Sequence, residues 1–475
     1  MTAPTALLPI AASANGGTID GLPAAQLVAA GFTLLQRSAP LVRALRRKRS
    51  AILLPTSPQF LIALAASDGR GAVLINPLAS TAEVAYQCAD ADVCAVFTVL
   101  ALAPRVPAGL VVVLLDDAPR TAHVVADGAT QTVDLGTHFA MEIEFDADAE
   151  GRDEECAIVY TSAMAGQPLG ARLTHRNLIA NARQTVVAAE NTKSDNCLAV
   201  LPFSHLFGLT VTAMAPLLAG AKVTTMARFN PIAAVDILRS DGITEFVGVP
   251  AVFATMLTAI ERTGGTLGSD SLRLCISGGA ELPRDLQDKW FDVTGVELRQ
   301  GYGLTECAPV CLFNRVSLPN HRGTLGVPFP GCDVTVRDPA SGAELAAGAP
   351  GEICVRSETV FKGYVRNGDD GLRVRDGWLG SGDQGVLNAD GTVTFLGLLK
   401  NMFTRNGFNV YPREVERIAG EMPGVTAARV FAIPNLRSEN EVGLDITGPV
   451  TADEVRTWCE ARLAAYKQPS TIRVM

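Results

Sequence analysis

The stretch "YTSAMAGQPLGARLTH", residues 160–175, follows a short apolar run, Cys156 to Tyr160, and leads into a helical pattern. Leu178, Ile179, Ala182 and Val186 recur at helical spacing, with Thr174 placed to cap them. A strand, a small-residue loop and a helix start together make an anion site, because backbone N–H groups and the helix dipole point at the bound charge. Loops that handle nucleotide triphosphates usually carry a lysine. Here that position is Leu169. The stretch therefore reads as a phosphate-binding loop of an α/β fold that has lost its cation.

Outward from this loop the same alternation continues. "AILLP" leads to "SPQFLIALAAS", and "GAVLIN" leads to "STAEVAYQCADA". "SLRLCISGGA" is followed by "ELPRDLQDKWFDVTG", with Pro283 suited to a first helical turn, and then by "VELRQGYG". Alternating strands and helices predict layered α/β sheets that are largely parallel. From 320 to 396, "GCDVTVRD", "GEICVRS" and "QGVLNADGTVTFLG" predict a β-rich module. After Gly397 a small α+β unit is expected, with "YPREVERIAGEM" as helix and "AARVFAIP" and "EVGLDIT" as strands. Its last helix opens on a capping box, Thr451 to Glu454, and places Val455, Trp458, Cys459 and Leu463 on one face. The reading is a large domain over 1–397 and a small mobile domain over 398–475.

At 475 residues the chain exceeds one typical core, which also argues for two or more domains. A net charge of −9 argues against nucleic acid as a partner. The basic run "RALRRKRS", residues 43–50, reads first as a solvated helix end and second as a contact for phosphate or an anionic membrane surface. Ten cysteines without a C-x-x-C pair or a Cys/His cluster predict reduced, buried thiols in a cytoplasmic setting. "MTAPTALLPIAASANGG" lacks the charges of a secretory signal, and no apolar run reaches the length of a transmembrane segment. No G-x-G-x-x-G opens a helix after the first strand, and no G-x-S-x-G elbow occurs, so a dehydrogenase and a serine hydrolase are both disfavoured.

Five stretches stand in order: "YTSAMAGQPLG", "LPFSHLFG", "ISGGAELP", "GYGLTE" and "GLLKNMFTRNGFNVYPREVE", with "SGD" between the last two. Together they resemble the adenylate-forming superfamily of acyl-CoA synthetases, luciferases and peptide-synthetase adenylation domains. "GFNVYPREVE" looks most like the fatty-acyl-CoA ligase branch. The resemblance runs from about residue 50 to the C-terminus. It implies that ATP and a carboxylic acid form an acyl-adenylate, after which coenzyme A displaces AMP. It also implies that the small domain rotates between the two steps.

By the same resemblance, Tyr302 stacks on adenine, Thr305 contacts the α-phosphate and Glu306 holds Mg²⁺, a hard ion suited to an oxygen ligand. Gly278, Gly279 and Ala280 form the adenine pocket, where missing side chains let a flat base approach the backbone. Asp383 accepts the ribose hydroxyls, and His205 lies beside the acyl carboxylate. Lys400 is the hinge residue, and Gly407 lines the thiol channel after rotation. Thr161, Ser162, Gly166 and Gly170 remain of the phosphate loop.

The departures share one theme. The family's Gly-Thr-Thr-like core is Ala163, Met164 and Ala165; its loop lysine is Leu169; its arginine before the hinge is Leu398; the position after Lys400 is Asn401. "YKQPSTIRVM" leaves eight residues after Lys467, none of them the family's adenylating lysine. Removing one preorganised donor slows a reaction by roughly 100- to 1,000-fold, so slow adenylation is expected. A rival reading follows: a weakened member that binds nucleotide or acyl ligand without efficient adenylation.

Amino-acid-activating relatives place an aspartate in the segment matching "HLFGLT", which is apolar here. "EFVGVPAVFATML" adds small and apolar residues suited to an alkyl chain. A fatty or related acid is expected, in lipid metabolism. No carrier domain is attached, so free coenzyme A is the expected acceptor, with a separate acyl carrier protein as the alternative.

Overall fold

The computed structural model describes residues 16–46, 48–67, 71–116, 120–136, 153–161, 168–366, 374–399 and 402–475. In one sheet, strands Asn196–Ala199, Glu245–Gly248, Leu274–Ser277 and Leu298–Gly303 run parallel and adjacent. Helices Pro231–Ser240, Pro250–Arg262 and Arg284–Thr294 carry the chain from strand to strand. The first three of these strands are buried at every position, as expected where helices cover both faces.

The second sheet has a parallel centre of Glu155–Thr161, Ala72–Leu74, Arg49–Leu53, Val93–Thr98 and Val111–Leu115. Helix Gln59–Ala66 is buried at all of its positions, because every residue after Gln59 is apolar and Gln59 donates to the Asp116 carbonyl at 2.8 Å. Antiparallel strands Asp333–Arg337, Pro350–Arg356, Trp378–Leu387 and Val393–Leu398 form the β-rich module. The layered α/β reading and the β-rich module both hold.

The C-terminal residues build a separate apolar cluster that includes Val410, Val415, Val430, Leu444, Val455, Cys459 and Leu463. Strands Ala427–Asn435, Glu439–Thr447 and Thr471–Val474 form its sheet, flanked by helices Pro412–Gly420 and Ala452–Glu460. The capping box of Thr451 and Glu454 is present, and Trp458 donates its Nε1–H to the Ile418 carbonyl at 2.7 Å.

The opening stretch needs a correction. The apolar run spans Glu155–Thr161 and pairs antiparallel with a second strand, Leu169–Thr174, before helix His175–Ala189 begins. Ala171 and Leu173 enter the core while Arg172 reaches out to Glu155 at 2.7 Å, a two-residue period inside the segment. Thr174 does cap the helix, accepting from the Asn177 N–H at 3.1 Å. Residues 155–161 and 169–174 are therefore the two paired strands of a hairpin. The helix start lies one strand further along the chain, so the helix-dipole part of the anion reading fails.

The basic run straddles two elements: helix Ala39–Leu45 holds Arg43, and Arg49 opens strand Arg49–Leu53 rather than belonging to a solvated helix end. Arg49 forms a two-pronged ion pair with Glu155 at 2.6 and 3.2 Å, and Lys48 pairs with Asp92 at 2.9 Å. Nine of the ten cysteines are buried, and none is paired. Among the described residues no helix is long and apolar enough to cross a membrane.

Candidate active site

A cleft of about 420 Å³ is lined by the C-terminal edges of both sheets, the β-rich module and the small C-terminal unit. Strand Leu274–Ser277 ends at Gly278, Gly279 and Ala280, which form part of its wall. A Cβ at Gly278 would stand 3.0 Å from both the Gly301 carbonyl oxygen and the Phe207 ring. The close approach of the Phe207 ring and the Gly301 carbonyl therefore favours a residue without a side chain at this position.

Strand Leu298–Gly303 delivers Tyr302, and the short turn Thr305–Cys307 follows with Thr305 and Glu306. The Tyr302 hydroxyl donates to Asp383 Oδ2 at 2.6 Å, joining this strand to the β-rich module. Burial, with the Asp383 carboxylate beside it, holds the Tyr302 phenol protonated far above its ordinary range. Glu306 is buried, and its Oε1 accepts from Tyr364 at 2.7 Å and from Thr161 at 3.4 Å.

His205 lies in the turn after strand Asn196–Ala199, where the chain enters the wide helical turn Phe207–Met214. Its Nδ1 accepts from the Phe207 N–H at 3.2 Å, which leaves the ring proton on Nε2. Burial lowers its pKa to about 4, so the ring is neutral at physiological pH.

Gly407 occupies the tip of the hairpin formed by Phe403–Arg405 and Phe408–Val410, with φ +75°. Its carbonyl oxygen lies 3.7 Å from where a Gly279 Cβ would be, and a Cβ of its own would meet Val249 at 2.3 Å. The small unit thus brings a bare backbone turn against the loop that follows Leu274–Ser277.

The structure brings Thr161, His205, Gly278, Gly279, Ala280, Tyr302, Thr305, Glu306, Asp383 and Gly407 around one space. It does not bring Gly170 there: that residue is paired with Tyr160 inside the hairpin, packed on Ile158. Ser162, Gly166 and Lys400 lie outside the described residues, as do Ala163, Met164, Ala165 and Asn401. Leu169 and Leu398 both line the cleft, so the two uncharged departures do face it. Tyr364, Tyr411 and Phe207 also contribute to the wall, and the sequence reading assigned them no role. Tyr364 stands alone in "VFKGYV", with no spacing to flag it.

Among the described residues no group of three or more His, Cys, Asp or Glu could hold a metal ion. The buried carboxylate of Glu306 fits a hard divalent ion that takes its other ligands from phosphates and water.

Comparison with known proteins agrees with this geometry. A family profile described as AMP-binding enzyme matches residues 37–365. A feruloyl-CoA synthase of Amycolatopsis sp. is 32% identical over 89% of this chain and 84% of its own length. A long-chain-fatty-acid–CoA ligase of Bacillus subtilis (strain 168) is 28% identical over 89% and 81%. A solved malonyl-CoA ligase with methylmalonyl-CoA and AMP bound is 26% identical, covers 99% of this chain and 98% of its own, and superposes with TM-score 0.80. The ATP-bound MatB of Rhodopseudomonas palustris, 27% identical over 99% and 95%, superposes with TM-score 0.70.

Fold and site together define an adenylate-forming enzyme of the acyl-CoA ligase type, an acid–thiol ligase by class. The chain belongs to the AMP-binding enzyme family.

Proposed function

We propose that this enzyme activates a fatty acid or a related apolar carboxylic acid with ATP and transfers the acyl group to coenzyme A. One observation carries the reading: the adenine, ribose and thiol-side residues named from sequence line a single cleft together with Thr161, Thr305 and Glu306 of the phosphate side. In this reading adenine lies against Gly278 and Gly279 with Tyr302 beside it, and Asp383 accepts the ribose hydroxyls. Thr305 donates to the α-phosphate. Glu306 holds Mg²⁺, which when bound offsets charge on the phosphates. The Nε2–H of His205 orients the attacking carboxylate without adding charge. The Gly407 turn borders the path of the incoming thiol. Lys400 is assigned to the hinge, with the large domain over 1–397 and the small one over 398–475.

The apolar character of the acid rests on Phe207, which separates the cleft from a second void of about 10 Å³ lined by Ala188, Val211, Ile276 and Phe313. No carboxylate stands in 206–210 to hold an ammonium group. The similarity to enzymes named as ligases favours turnover over a binding-only member.

Acyl-hydroxamate formation with ATP tests the reading across saturated fatty acids, hydroxycinnamates and amino acids, followed by thioester formation with free coenzyme A or a phosphopantetheinyl acyl carrier protein. Fatty acids with coenzyme A are expected to lead. Preference for hydroxycinnamates would replace the fatty acid by an aromatic one, and preference for amino acids would overturn the apolar assignment.

A further inference from the structure

We propose that Lys467 is a positioning residue that locks the small domain in the thiol-transfer arrangement through a buried ion pair with Glu83 of the large domain. The inference rests on the two-step reading above. The Lys467 ammonium lies 2.8 Å from Glu83 Oε1 and 2.8 Å from Glu414 Oε1, and all three side chains are nearly closed to solvent, at 5%, 11% and 4% exposure. Glu414 belongs to the small unit's own helix Pro412–Gly420, whereas Glu83 lies in helix Thr81–Asp90 beside the other sheet. The lysine thus has one partner that travels with it and one that does not. Beside it, the Ser80 hydroxyl donates to the Arg462 carbonyl at 3.1 Å across the same boundary.

Lys467 is also coupled rigidly to the thiol-side turn. Tyr466 stacks on Phe408 with ring centroids 4.5 Å apart and planes at 22°. Arg405, on the other strand of that hairpin, donates to the carbonyls of Tyr466 and Gln468 at 3.3 and 3.0 Å. Lys467 and Gly407 therefore move as one body, and anchoring Lys467 on Glu83 holds Gly407 against Gly279 and Val249. The superpositions point the same way. At nearly equal identity and coverage, the relative holding an acyl-CoA and AMP overlays at 0.80 and the ATP-bound one at 0.70.

A domain rotation to the adenylating arrangement would carry Lys467 and Glu414 away and strand Glu83, so the pair biases the equilibrium toward thiol transfer. Coupling of this kind is worth about 5- to 150-fold. Glu83→Gln is the informative variant, because Gln retains the capping role toward the Ser80 N–H while Glu414 still neutralises Lys467. Two rates are compared in wild type and variant: thioester formation from decanoyl-adenylate with coenzyme A, and decanoate-dependent ATP–pyrophosphate exchange. The expected result is a fall in the first by about 5- to 150-fold with the second unchanged or raised. Equal losses in both, or no change in either, would overturn the lock. Small-angle X-ray scattering of the ligand-free proteins gives a readout independent of catalysis: wild type is expected to match this arrangement, and Glu83→Gln to populate a different one. Identical scattering curves also overturn the lock. Should wild type make no thioester from decanoyl-adenylate, the two-step reading fails, and scattering alone then decides the role of the pair.

Discussion

The Tyr302 hydroxyl donates to Asp383 Oδ2 at 2.6 Å, so the residue assigned to the base and the residue assigned to the ribose are held by each other. This bond fixes the carboxylate before any nucleotide arrives. Asp383→Ala should weaken AMP binding by about 1.5–3 kcal/mol, the worth of a charge-assisted contact. Tyr302→Phe retains the ring and loses the tether, so a smaller effect of about 1 kcal/mol is expected. Calorimetry with AMP measures both; equal binding by wild type and Asp383→Ala would remove Asp383 from the nucleotide site.

Glu306 separates nucleotides by their phosphates. Glu306→Ala should weaken Mg·ATP markedly and AMP little, since AMP lacks the phosphates that a divalent ion bridges. The substitution also leaves the Tyr364 and Thr161 hydroxyls without this acceptor. Calorimetry with each ligand, with and without Mg²⁺, checks the difference. A uniform loss would make Glu306 structural.

His205 should be neutral across the working pH range. Its pKa in the fold is about 4, below the ordinary 6.5. Between those values the unfolded chain binds the extra proton and the folded chain does not, so this residue lowers stability as pH falls from 6.5 toward 4. Urea unfolding at pH 7 and pH 5 should show that loss, reduced in His205→Asn. A His205 resonance, assigned by its loss in His205→Asn, that titrates near 6.5 in the folded protein would contradict it.

Leu169 pairs with Thr161 at the mouth of the hairpin and lines the cleft. Leu169→Lys should place an ammonium near the phosphates and raise ATP–pyrophosphate exchange by about tenfold, a part of what a single preorganised donor contributes. Unchanged exchange would mean that another group already supplies the charge. Arg405 is engaged with Glu441 and with backbone carbonyls, and Lys362 donates to the Asp153 carbonyl, so both are occupied in this arrangement.

Phe207 should set the length of acid accepted. Phe207→Ala joins the cleft to the void behind it and should shift preference toward longer chains. Hydroxamate assays over a chain-length series check this, and an unchanged profile would place the acyl chain elsewhere.

The sheets were legible because their strands are short apolar runs followed by periodic helices, as in "LRLCIS" before the helix at Arg284. The hairpin at 155–174 was not, since Leu169–Thr174 alternates over only six residues and runs directly into Thr174, a strong helix cap. Pro283, expected inside the first turn, stands just before it as the cap residue. Phe207–Met214 reads as an ordinary apolar helix, and nothing in its composition announces the wider turn. The cleft residues in motifs were found by their order in the chain. Lys467 carries no such mark, because a buried ion pair with a residue nearly 400 positions away leaves no local trace.

The buried cysteines have a chemical consequence for an enzyme that handles acyl groups and thiols. Burial pushes Cys88, Cys156 and Cys354 up to about 12 and Cys94, Cys332 and Cys459 up to about 11, so their thiolates are scarce at neutral pH. No cysteine lines the cleft. An activated acyl group held there meets no sulfur nucleophile belonging to the protein, and self-acylation, which would consume the intermediate and poison the site, has no partner.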